Sequence, residues 1–251
     1  MTQNAQLSSV TLINLDRTPD RLSEFVAHNQ SAVNIRRFSA IDGKSVDRTW
    51  LVQEGILAPD NRYSDGAVGC VLSHLALWRQ VIADDRIMTI CEDDAILNHN
   101  FSSLSDTLMS FCEDKFDLIF WGWNFDGPLL YDVFPGGVKC AARFDHTELL
   151  GFVDIFKSAR LYPSLHRLYE TYGTLCYSIS PQGARKLIAR LFPLGAGSLF
   201  SASLNRYVQN IGFDNVMNGF HGELASLVAI PPLAISMHDI LRSTVANPAV
   251  R

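Results

Sequence analysis

Short apolar runs, each too brief for an amphipathic helix, alternate along this chain with longer segments whose apolar residues recur every three or four positions. That order constrains the fold more than any other feature. Residues 10–15 form the first run, and Thr18, Pro19 and Asp20 follow it as a predicted N-cap, a proline at the first helical position and an early acid. Residues 33–39 read as a second strand before the turn-forming pair Asp42 and Gly43. Between Gly66 and Asp85, the residues Val68, Val71, Leu72, Leu75, Trp78 and Ile82 keep to one helix face, with Ser64 or Asp65 as its cap. Residues 87–91 suit a strand buried on both faces, and it delivers its end to Glu92, Asp93 and Asp94. Runs at 117–123 and 174–179 read as further buried strands, the latter followed by a proline-started helix over 181–190. Such alternation predicts an α/β fold with helices on both faces of the sheet, where ligands gather outside the carboxyl ends of strands. The stretch 128–161 carries no clear period.

A chain of 251 residues accommodates one large domain or a core with a small appendage. With 47% hydrophobic and 19% charged residues it can fill a core. The net charge of −5 leaves no broad positive field, which argues against nucleic acid as a partner. The longest apolar run, 224–235, is interrupted by Pro231 and Pro232, and the first residues lack the basic and apolar regions of a signal peptide. The expected setting is cytoplasmic, with at most peripheral contact at an inner membrane. Five cysteines, none paired at zinc-site spacing, read as reduced core residues.

Three adjacent acids at a buried strand's exit repel one another unless they are solvated, protonated or bound to a cation. A hard divalent ion held by one or two carboxylates resolves that conflict, and a water-facing acidic loop is the plainer alternative. Asn14, Asp16, Arg17 and Arg21 stand where the first strand passes to its helix, a place that offers free amides and guanidinium groups to a diphosphate, or simply a surface ion pair. Ser73 and His74 sit inside the strongest helix, so they are hydrogen-bonded in the interior or exposed to a cleft. No GxxxxGK[ST], GxGxxG or G-x-S-x-G pattern occurs, which argues against a P-loop nucleotidase, a standard dinucleotide enzyme and a serine hydrolase of the elbow type.

Five blocks taken together carry a resemblance: VTLINLDRTPDRLSEF at 10–25, FSAIDG at 38–43, GAVGCVLSHLALWRQ at 66–80, CEDDAIL at 91–97 and GTLCYSISPQGARKL at 173–187. In this order the chain resembles glycosyltransferase family 25, the lipooligosaccharide-biosynthesis and collagen-galactosyltransferase group. The resemblance implies a GT-A-type fold with a mixed central sheet flanked by helices. It also implies a UDP-sugar donor (commonly UDP-galactose), Mn2+ or Mg2+, inversion at the anomeric carbon, and a glycan or glycolipid acceptor. It treats residues 1–251 as a single glycosyltransferase domain, with a donor-binding part at about 9–190 and an acceptor or closing part at about 191–251. By the same resemblance Asp94 is the first metal ligand with Glu92 and Asp93 as helpers; by analogy with phosphate clamps in general, Arg17 and Arg21 are candidates to share the diphosphate's charge. Asp42, Ser73 and His74 match positions at the donor pocket.

Inversion requires a base for the acceptor hydroxyl. Asp214, in IGFDNVM, resembles the family's late aspartate and is the first candidate, with a turn or helix-terminal aspartate as the plainer reading. His238, in SMHDILRST, is a candidate metal ligand by likeness to GT-A enzymes, with a surface or packing histidine as the plainer reading; Asp239 and Glu223 are weaker bases, and Ser243 is a further alignable position. Two rival readings fit the same residues. One is a catalytically degenerate subunit that binds a nucleotide sugar or glycan, and the other is a glycoside hydrolase, which needs paired carboxylates but neither metal nor diphosphate site.

Overall fold

The computed structural model describes residues 8–112 and 115–236. The chain opens with β1 (Ser9–Asn14), α1 (Pro19–Asn29) and β2 (Asn34–Ser39), the predicted strand–helix–strand unit, with β1 and β2 parallel. Pro19 begins α1, but Thr18 does not cap it: its hydroxyl donates to the Leu15 carbonyl at 3.0 Å instead. A single 3₁₀ turn at Gly43–Ser45 and α2 (Arg48–Gln53) lead to α3 (Asp65–Asp84), where Ser64 is the cap and accepts from the Ala67 amide at 3.1 Å. By length and composition α3 could cross a bilayer, yet it is mostly buried as the core helix of the molecule.

Next come β3 (Met88–Glu92), β4 (Ala95–Leu97), α4 (Phe101–Phe111), β5 (Leu118–Gly122), β6 (Leu129–Asp132) and β7 (Lys139–Ala142). The stretch without a sequence period holds the last two strands and the short α5 (His146–Leu149) and α6 (Val153–Ser158). The chain continues through β8 (Ser164–Glu170), β9 (Cys176–Ile179), α7 (Pro181–Leu191), the hairpin β10 (Ser198–Ser201) and β11 (Arg206–Gln209), α8 (Phe213–Met217), β12 (Ser226–Ile230) and β13 (Ala234–Ser236).

Nine strands form one mixed sheet in the order β2-β1-β3-β9-β5-β12-β8-β6-β7, while β13 pairs with β4 apart from it. Strands β1 and β3 run parallel, and β9 runs antiparallel between β3 and β5. The run interrupted by Pro231 and Pro232 becomes β12 and β13, so the chain past residue 190 returns to the middle of the same sheet. Alternation along β5 sends Leu118 and Phe120 to a core shared with Trp78 of α3 and Leu187 of α7. Ile119 and Trp121 go to a second core with Phe25 of α1 and Phe101 of α4. Helices therefore cover both faces, as the alternation predicts. Cys91 and Cys176 oppose each other across β3 and β9 as buried thiols, Sγ to Sγ 3.0 Å.

Candidate active site

Because β1 and β3 run the same way and β9 the opposite way, the ends carrying Asn14 and Glu92 meet the start of β9 at one edge of the sheet. A cleft of about 920 Å³ opens there, lined among others by Asn14, Arg17, Arg21, Asp42, Cys70, His74, Glu92, Asp93, Asp94, Thr174 and Asp214. That is the position at which open α/β sheets bind ligands, and the volume suits a drug-sized or nucleotide-sized molecule.

The three adjacent acids do not share one fate. Asp93 is neutralised within the protein: Arg21 Nε donates to its Oδ1 at 2.7 Å, and Asn14 Nδ2 donates to Oδ2 at 2.7 Å. Asn14 is buried at the end of β1, and its side-chain Oδ1 in turn accepts from Arg37 Nε at 3.1 Å. Glu92 faces the opposite wall, where Thr174 donates to Oε1 at 2.5 Å and His74 Nε2 stands 3.7 Å away. Burial pushes the Glu92 carboxyl up, but the His74 interaction and the Thr174 hydroxyl outweigh it and hold it below its ordinary range. Asp94 is the uncompensated member. Its Oδ2 accepts from Ser236 at 2.9 Å, whereas Oδ1 is sealed from solvent without a partner among the described residues. Burial and then the Glu92 charge push its carboxyl up to about 6.

The floor of the cleft is built from α3 and β9. Trp78 Nε1 donates to the Tyr177 hydroxyl at 2.8 Å, and that hydroxyl lies 2.7 Å from His74 Nδ1. With Nδ1 anchored, the buried His74 ring aims Nε2 at Glu92. Ser73 is also buried; it donates to the Gly69 carbonyl at 2.7 Å and accepts from the Ile41 amide at 2.9 Å, tying α3 to the loop that carries Asp42. Helix and loop touch through two glycines. A Cβ on Gly43 would lie 1.8 Å from the Asp65 carbonyl oxygen, and one on Gly69 would lie 2.4 Å from that of Ile41.

At the rim, Arg17 Nε meets Asp42 Oδ2 at 2.8 Å, and this hydrogen bond holds the Asp42 carboxyl below its ordinary range. Asp16 is engaged elsewhere. Arg37 and Ser39 take its carboxylate, the latter at 2.8 Å, so it belongs to the β1–β2 edge rather than to the cleft lining. Asp214, near the start of α8, accepts from the Gly173 amide at 2.9 Å; burial pushes its carboxyl up, with the Glu92 charge adding to the shift. It is both the helix-terminal aspartate of the plainer reading and a residue of the cleft. Glu223 pairs with Arg190 at 2.8 Å on the surface. His238, Asp239 and Ser243 lie outside the described residues.

Sequence reasoning passed over Cys70 and Thr174. Thr174 stood within a quoted block, but its pairing with Glu92 depends on the antiparallel register of β9. Cys70 and His74 are four apart in a helix, a spacing that puts two donors on one face. A search for paired cysteines misses it.

Residues 8–196 match the family described as Glycosyltransferase family 25 (LPS biosynthesis protein). The chain belongs to glycosyltransferase family 25. Among family 25 relatives, Procollagen galactosyltransferase 2 of Homo sapiens is 26% identical over 192 residues, covering 71% of this chain and 27% of the relative. Probable inactive glycosyltransferase 25 family member 3 of Rattus norvegicus is 28% identical over 190 residues, 72% of this chain and 29% of its own length. A Glycosyltransferase 25 family member of Drosophila melanogaster is 25% identical over 196 residues, 73% and 28% respectively. The chain thus spans less than a third of the length of these relatives, and they include both a galactosyltransferase and a protein called inactive.

Proposed function

We propose that this family 25 chain is an inverting, GT-A-type glycosyltransferase that moves a sugar, galactose by analogy with the procollagen galactosyltransferases, from a UDP-sugar to a lipooligosaccharide or other surface glycan. The observation that carries the reading is the buried Oδ1 of Asp94, unpartnered among the described residues, in the lining of a nucleotide-sized cleft. A carboxylate oxygen without a donor in that setting suits a hard divalent cation, and Asp94 with Glu92 are the residues that would hold Mn2+ or Mg2+. Bound there, such an ion supplies charge neutralisation to the departing diphosphate.

The chain's own residues take the remaining roles. Arg17 is exposed enough to leave Asp42 and meet a phosphate, while Arg21 holds the Asp93 side chain in place. Glu92, fixed by Thr174 and His74, accepts hydroxyl hydrogens of the donor sugar. Asp214 takes the proton of the attacking acceptor hydroxyl, and a carboxyl raised by burial is the stronger base for that step. Work at the cytoplasmic face of an inner membrane fits such an acceptor.

A panel of sugar nucleotides assayed for UDP release, with manganese and with chelator, tests the reading. The expected outcome is metal-dependent release that Asp94→Asn abolishes. Wild-type turnover by that variant, or cleavage of a preformed glycoside in chelator, would overturn it. Because one relative is called inactive, manganese-dependent UDP binding without release from any donor would instead identify a binding subunit.

A further inference from the structure

Cys70 and His74 stand one turn apart on α3, so both side chains project from the same helix face toward the end of β3. Cys70 Sγ, a His74 ring nitrogen and a Glu92 carboxylate oxygen lie within 4.8 Å of one another. His74 is held between the rings of Tyr177 and Phe213, with centroids 5.7 and 5.1 Å away. The Tyr177 hydroxyl, fixed by Trp78, is the kind of outer partner that orients a metal-ligating imidazole; in the tautomer that a bound cation selects, Nδ1–H donates to it and Nε2, released from its hydrogen bond to Glu92, presents its lone pair to the cluster. The Cys70 sulfur has no hydrogen-bond partner among the described residues. Burial pushes the Cys70 thiol up, and the charges of Glu92, Asp214, Asp94 and Asp93 push it further, so the sulfur keeps its proton until a cation enters their negative field.

We propose that Cys70, His74 and Glu92 form a binding site for a thiophilic divalent cation of the zinc class, next to the hard-cation position at Asp94 and sharing Glu92 with it. One sulfur, one imidazole nitrogen and one carboxylate oxygen make a three-ligand set for a tetrahedral ion, and Cys70 and Glu92 both line the cleft, so the fourth position opens into it. On binding, the Cys70 S–H bond breaks, its proton leaves to solvent, the sulfur's electron pair forms the metal bond, and nothing is oxidised or reduced. Occupation turns Glu92 toward the sulfur and away from Thr174, so zinc withdraws that carboxylate from the donor pocket and inhibits transfer. The coordination is independent of the transferase reading; the inhibition rests on it.

The test is a titration of cobalt(II), without manganese, into the full chain, followed by absorption. Wild type should give a thiolate-to-cobalt band with the strong d–d absorption of a four-coordinate ion, and one equivalent of zinc should erase it. Cys70→Ser and Cys70→Ala should lose the band and bind cobalt more weakly by about tenfold or more, and Tyr177→Phe, which keeps the ring and removes the outer partner, by about tenfold. Asp94→Asn, Cys112→Ser and Cys140→Ser should retain it. A wild type without a thiolate band, a band that survives removal of Cys70, or one lost with Cys112 or Cys140 would overturn the site. Manganese-dependent UDP binding measured on the same samples separates the two readings. Its absence beside an intact cobalt band sinks the transferase assignment alone, and its presence without the band sinks this site alone.

Discussion

At the mouth of the cleft Arg17 pairs with Asp42 while 45% of the arginine side chain remains in solvent, whereas on the floor His74, Tyr177 and Trp78 are all fully buried. An exposed pair of that kind contributes about 0–1 kcal/mol and is screened by salt, so a phosphate can replace one partner at little cost. A buried polar atom that loses its partner costs about 1–3 kcal/mol, so the floor keeps its geometry when the rim rearranges. The contrast separates groups able to follow an arriving diphosphate from groups that hold still while a sugar is oriented above them.

The sharpest way to break this contrast is Asp214→Asn. Because Asp214 is a cleft carboxyl tied to the Gly173 amide, transfer should fall by about 10²–10⁴-fold while manganese-dependent UDP binding is kept. Equal losses of UDP affinity and of transfer would move Asp214 from proton acceptor to donor-binding wall. Arg21→Met comes next, since it strips the cation from a carboxylate that is only 12% exposed; about 2–3 kcal/mol of stability should go, less than for a fully enclosed pair. A urea midpoint unchanged within error would make Arg21 another rim residue.

His221 lies in the aromatic layer beneath the floor, its ring edge-on to Phe120 at 5.5 Å. Burial, with the Arg167 charge, pushes its pKa down to about 3, far below the value of an unfolded histidine. Between those two values the unfolded chain binds the proton and the folded chain does not. Stability therefore falls as pH drops through about 6.5, by about 2 kcal/mol at pH 5, and the loss levels off only near pH 3. Comparing urea midpoints at pH 7 and 5 for wild type and His221→Phe isolates this contribution; identical pH dependence in both proteins would refute it. The smallest effect belongs to Arg17→Ala. It should change stability by less than about 1 kcal/mol and weaken UDP binding chiefly at low salt, and a large salt-independent loss would place Arg17 on the floor.

Much of the architecture was legible because its signals are local. Strands β1, β3, β5 and β9 are short apolar runs, and α3 carries its own period and cap. The stretch holding β6, β7, α5 and α6 was not, because its elements are short and all but β6 are partly or fully exposed, so neither period has room to repeat. The acidic cluster was visible, but not its division of labour. Arg21 meets Asp93, Thr174 meets Glu92 and Ser236 meets Asp94 only through the order of strands in space. Thr18 shows the reverse error: a residue of the right type for a cap turned back to Leu15, and proline alone starts the helix.

The Gly43–Gly69 crossing has a mechanical consequence. Where two main chains touch with no carbon between them, the spacing is set by backbone atoms that cannot change rotamer, so the Asp42 loop is bolted to the first turns of α3. A single added methyl at either point would act as a shim, levering the entrance wider while leaving every charged group near it chemically intact.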